Sequence, residues 1–103
     1  MSATAKQYPK TVAEVVDILH ANMTLNKEFF LASAEEQDLI DLHFSLGTEI
    51  RDDFGLWAGN EALLQSCREL SGDANLHVDD ASMVIIRTLW EKVKKSNVLD
   101  DHQ

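Results

Sequence analysis

The side chains in this chain that could carry chemistry are four histidines, one cysteine and two aspartate doublets. A metal centre on a helix needs histidine pairs on one face, as in HxxxH or HExxH, and no such pair occurs. His20, His43, His77 and His102 fall on separate elements. His43 lies among apolar residues and reads as a structural imidazole with one hydrogen-bond partner, since buried polar groups are paired. His77 stands just ahead of a helix start, where its ring can join the N-terminal hydrogen bonding. Asp52-Asp53 and Asp79-Asp80 would suit acid–base work only if two carboxylates converged. Helical neighbours diverge by about 100°, so capping and surface charge account for both doublets better. Cys67 falls on the apolar side of its segment and reads as an inert core thiol. No glycine-rich phosphate loop, GxSxG elbow or Cys/His nucleophile pattern is present. The expectation is a protein that is not an enzyme and that uses no cofactor and no metal.

Three further residues stand out by context. Arg51 is the one base in an acidic segment, and it can pair with Asp79 or Asp80 across the chain. That pairing would tie the end of one helix to the start of the last. Trp57 sits in a turn between glycines, where an aromatic face can stay open to a partner. Asn60 is a natural N-cap and lies in the same turn.

These residues need helices to position them. Leu39, Leu42, His43, Leu46 and Ile50 recur at three- and four-residue spacing, which places them on one helical face. Ile40, Phe44, Gly47, Arg51 and Phe54 form a neighbouring stripe. The combined arc predicts a central helix over about 34–53 with others packed on two sides. Gly47 costs that helix roughly 1 kcal/mol relative to alanine, which a close helix crossing would explain. Ser33 and Glu36 have capping-box spacing at its start, and Gly55 suits the left-handed residue after its end.

The flanking segments read as helices too. Thr11 and Glu14 make a second capping box ahead of Val12, Val15, Val16 and Leu19, in a helix ending at Asn22 or Met23. Thr24 caps a short helix over Leu25 to Leu31 that carries Leu25, Phe29 and Phe30. Asn60 opens a helix with Leu63, Leu64 and Cys67 that ends near Leu70. Residues 71–75, Ser-Gly-Asp-Ala-Asn, form the clearest loop. Asp79 is the expected N-cap of the last helix, with Met83, Ile86, Trp90 and Val93 as its stripe, widened by Ile85 and Leu89. The fold expected is all-α: one domain over 9–96, a bundle of four or five helices, with flexible tails at 1–8 and 97–103.

Composition supports this and narrows the function. At 45% apolar the chain can build one modest core. Four glycines and one proline are too few for a turn-rich β architecture. No apolar run approaches the ~20 residues of a membrane span, and residues 1–10 lack a signal-peptide core. A single cysteine excludes an internal disulfide framework, so a cytoplasmic location is expected. Of the net charge of −9, residues 33–62 hold eight acids and one base, a balance of −7. That disfavours nucleic acid and anionic membrane as partners, because both demand basic surface. It suits a protein partner with a basic face, and it also keeps a small protein soluble.

LHFSLGTEIRDDFGLWAGNEALLQSC, followed by HVDDASMVIIRTLWEKVK, resembles a small uncharacterised bacterial family known only as a domain of unknown function. Its members typically read LHFGLGxxIRNxxGLW-G near the middle, then an H-P-D-D-x-S segment and a final helix with a tryptophan. The Pro-Lys-Thr-Val start at residue 9 also fits, and the likeness covers most of 9–95. Ser45 stands where the family often has glycine, Asp52-Asp53 where it often has Arg-Asn or Asn-Asn, and Val78 where it often has proline. The resemblance implies a compact, mainly helical domain. It implies no reaction, ligand or catalytic residue.

The leading functional expectation is an acidic protein-interaction module, of the kind that serves as an immunity protein or antitoxin by covering a basic surface. Glu49, Asp52, Asp53, Trp57 and Asn60 are the candidate partner contacts. His43, Gly47, Arg51, Gly55, Asp79 and Asp80 are given structural roles. The alternative is a small-molecule sensor or enzyme accessory domain with a pocket near Trp57, Arg51 and His77. Monomer and homodimer both remain open.

Overall fold

Thr11 and Glu14 start the first helix as expected. Thr11 Oγ1 accepts from the Glu14 N–H at 3.2 Å, and Glu14 Oε1 accepts from the Thr11 N–H at 3.2 Å. The structure, a computed structural model, describes residues 8–101, with side chains through 96. Helix α1 spans Val12–Ala21 and is capped by Asn22. Its three valines, at 12, 15 and 16, are all buried, so packing holds a helix that propensity alone would not. Helix α2 spans Leu25–Ser33 behind the Thr24 cap, two residues longer than expected. Helix α3 spans Asp38–Asp53, α4 spans Glu61–Ser71, and α5 spans Val78–Asp101. The described residues contain no strand.

The helix at the centre is α5, not α3. All four other helices pack on α5, and α1 also meets α4. The reason lies in how far the apolar arc of each helix extends. Ala81, Ser82, Ile85, Ile86, Leu89 and Val93 of α5 are completely buried. On α3 the expected second stripe divides: Gly47 is buried and Phe54 closes the helix inside the core, but Ile40 and Phe44 are 59% and 74% exposed. Helix α3 therefore packs along one side only. At roughly 1.5 Å per residue the 24 residues of α5 reach about 36 Å, most of the 49 Å long axis of the protein.

Gly47 marks the close crossing of α3 on α5. A Cβ there would lie 3.3 Å from Ser82 Oγ and 3.2 Å from Arg51 Nη1. Arg51 Nη1 donates to Ser82 Oγ at 2.7 Å, and the Ser82 hydroxyl in turn donates to the Asp79 carbonyl at 2.9 Å. The Arg51 Nε stands 3.8 Å from Asp79 Oδ1, so the pairing expected between the end of α3 and the start of α5 is present.

Two expected helix caps do not form. The Ser33–Glu36 capping box does not form. Ser33 remains inside α2 and donates to the carbonyls of Phe29 and Phe30, while Glu36 pairs with Arg87 of α5. Helix α3 starts at Asp38, whose carboxylate accepts the Glu35 N–H at 2.9 Å. Asp79 is not the N-cap of α5. The helix begins one residue earlier, and Asp79 donates its N–H to His77 Nδ1 at 3.1 Å. Asp79 and Asp80 lie in the first turn, where their charge favours the helix dipole.

The expected boundaries shift as well. Tyr8 is half-buried against Gly55, whose φ of +74° leaves a face that a Cβ would fill at 2.5 Å from the ring. Residue 8 thus belongs to the packed body, and α5 continues past 96 to Asp101. Residues 1–7 and 102–103 of the expected tails, including His102, lie outside the described residues.

Candidate functional site

Helices α2 and α3 both lie on α5 but do not pack extensively on each other. Between them, closed at one end by the C-terminal part of α1, runs an open groove of about 420 Å³. Leu89 of α5 lies beneath its floor, with Leu19 of α1, Met23 of the turn after α1, Phe30 and Leu31 of α2, and Leu42 and Leu46 of α3 around it. The polar side chains on its edges are Asn22 and Lys27 on one side and Ser45 and Glu49 on the other.

Helical spacing extends the α3 edge beyond the groove itself. Asp38, Leu42, Ser45, Glu49 and Asp52 follow in steps of four and three, so they form one stripe. An acid therefore stands at each end of the stripe and another within it. Asp52 and Asp53 are exposed, and Glu49 is exposed and lines the groove. These three expected partner contacts are brought to one end of α3.

More apolar surface flanks the groove. Leu25 and Phe29 of α2 are 72% and 66% exposed, and Phe30 is also exposed. This surface has a signal in the sequence that the one-face reading of α2 passes over. Leu25, Phe29, Phe30 and Leu31 point in too many directions for a single buried stripe on a nine-residue helix, so part of that apolar set must face outward. Ile40 and Phe44 stand two positions, about 200°, away from Leu42 and belong to the far side of α3.

Trp57 is 56% exposed, as an open aromatic contact requires. Asn60 is not a free surface group. Its Nδ2 donates to the carbonyls of Pro9 and Phe54, each at 2.9 Å, and its Oδ1 accepts the Leu63 N–H at 3.3 Å. Every polar atom of that side chain is consumed in joining the chain ahead of α1, the end of α3 and the start of α4.

The pocket expected near Trp57, Arg51 and His77 is not where the groove lies, since none of the three lines it. Arg51 and His77 do flank one carboxylate, with Arg51 Nε 3.8 Å from Asp79 Oδ1 and His77 Nδ1 3.9 Å from Asp79 Oδ2. That arrangement anchors the helix crossing. His43 packs edge-on to Phe44, with ring centroids 5.7 Å apart, and its buried Nδ1 has no hydrogen-bond partner, contrary to the pairing expected for it.

Burial pushes the Cys67 thiol up to about 11, and its side chain is completely enclosed, which makes it a poor nucleophile. No group of three or more His, Cys, Asp or Glu among the described residues is placed to hold a metal ion. No helix among them is long and apolar enough to cross a membrane.

No curated protein and no solved structure matches the chain. A family match covers residues 8–93, from the tyrosine on Gly55 to the last buried valine of α5, and so takes in four helices and most of the fifth. The chain belongs to the family described as a domain of unknown function, DUF6794.

Proposed function

We propose that the protein is a binding module for a basic protein partner, in the manner of an immunity protein or antitoxin, and that it has no catalytic duty of its own. The observation that carries this reading is the meeting of two surfaces at one place. The exposed Glu49 lines an apolar groove that the fold leaves open, and the exposed acids Asp52 and Asp53 follow it one turn further along α3. An apolar centre with a charged border is the usual arrangement of a protein-binding patch. The acids would steer a basic partner into contact, and the groove and Trp57 would hold it.

The test is affinity capture at low and high salt, with each captured protein identified and then rebound in purified form. Wild-type protein should retain a partner with a basic face. The retention should fall as salt shortens the screening length towards roughly 8 Å at physiological ionic strength. A double charge reversal, Asp52→Lys with Asp53→Lys, should abolish it without lowering the melting temperature. Equal capture by the reversed variant, or no purified partner that rebinds, counts against the proposal.

A further inference from the structure

We infer that the groove between α2 and α3 receives a cationic amphipathic helix of about four turns, supplied by the partner. The inference deepens the basic-partner reading and rests on it. It concerns which element of the partner is bound, and in what orientation.

The groove has the shape for a helix. Its two walls are themselves helices that share a floor on α5 without closing on each other. The α3 wall lines the groove from Leu42 to Glu49, roughly 11 Å at 1.5 Å per residue, and its acidic stripe continues outward to Asp38 and Asp52, roughly 21 Å in all, which matches a helix of about 14 residues. The interior is lined by Leu31, Leu42, Leu46 and Leu89, the kind of apolar trough into which an incoming helix lays an i, i+3, i+4, i+7 face.

The charge layout selects the occupant and its orientation. One wall carries Asp38, Glu49 and Asp52 along its stripe, while the other carries Lys27. A helix with lysine or arginine along one border of its apolar face would set that border against α3 and keep its uncharged border against α2. An acidic or two-sided basic helix would meet like charge on one wall. Helix α3 itself holds five acids and one base, which makes it the wall that dominates.

The test uses a synthetic 14-residue peptide of leucine, lysine and glutamine, patterned as an amphipathic helix with lysine along one border of its apolar face and glutamine along the other, and an isomer of identical composition whose order gives no helical face. Binding to the full chain is measured by calorimetry. The patterned peptide should bind at least about tenfold more tightly than its isomer, a difference that charge alone cannot create. Ser45→Trp, which fills the groove from an exposed position, and Glu49→Lys, which reverses its lip, should each weaken binding by about tenfold or more. Phe44→Ser, on the far side of α3, should leave it unchanged. Glu49→Lys decides the matter if Ser45→Trp fails to fold, because Glu49 is exposed.

Equal binding of the two peptides would overturn the inference and leave the acidic-surface reading standing. Absence of binding by either peptide would overturn it as well. A groove that takes up an apolar dye which the patterned peptide cannot displace would overturn it in favour of a small apolar ligand. The fate of the basic-partner reading is decided separately, by capture with the Asp52 and Asp53 reversals.

Discussion

Replacing Asn60 by alanine should unfold this protein more readily than any change on its acidic surface. The side chain caps α4 through Oδ1 and holds two carbonyls, of Pro9 and Phe54, through Nδ2. Loss of the cap costs about 1 kcal/mol. Each half-buried carbonyl left without its donor adds about 1 kcal/mol, the low end for an unsatisfied group because solvent has partial access. The expected loss is about 2–3 kcal/mol, or a fall in melting temperature of roughly 10–20 °C for a domain of this size. Asn60→Ser retains a cap acceptor and loses only the carbonyl bonds, so it should cost about 1–2 kcal/mol. Urea unfolding of the three proteins, followed by far-ultraviolet circular dichroism, gives the order directly. An Asn60→Ala protein within about 0.5 kcal/mol of wild type, the range of an ordinary surface substitution, would refute the structural role. So would Asn60→Ser falling as far as alanine.

Two other predictions concern titrating groups. The Lys10 N–H beside Glu14, followed by the Thr11 N–H and hydroxyl, holds its carboxyl below the usual range. A carboxyl lowered on folding contributes stability above its unfolded value, roughly 4.3, and loses it as pH falls through the lower folded value. Glu14→Gln should therefore be less stable than wild type at pH 7, and the two unfolding midpoints should converge by about pH 2–3. Cys67, enclosed and with its thiol raised to about 11, should resist alkylation at pH 8 in the native state and react at the rate of unfolding. Rapid native alkylation would show that α4 opens locally.

Residues within three or four positions of each other were enough to set several local features. The Thr11–Glu14 box, the Thr24 and Asn60 caps, and the positive φ at Gly55 all appear in the structure. Each involves a side chain or backbone angle acting on its own turn, so no distant residue is needed. The Gly47 crossing was legible for a related reason: a glycine on an otherwise apolar helical face has few explanations besides close approach.

Helix rank and the open groove were decided by tertiary structure. Apolar periodicity marks α3 and α5 alike as amphipathic, but only the assembled bundle determines that α5 is surrounded and α3 is covered on one side. Ser33 and Glu36 have the right spacing for a cap, yet Arg87 lies 51 residues further along and takes the glutamate. Asn60 read as a cap and a partner contact, and its tie to Pro9, the acceptor 51 residues before it, has no signature in the sequence. The groove has no local cause. Its width is set by where α2 and α3 separately settle on α5, and its acidic border follows from the turn of α3 that this settlement leaves facing outward.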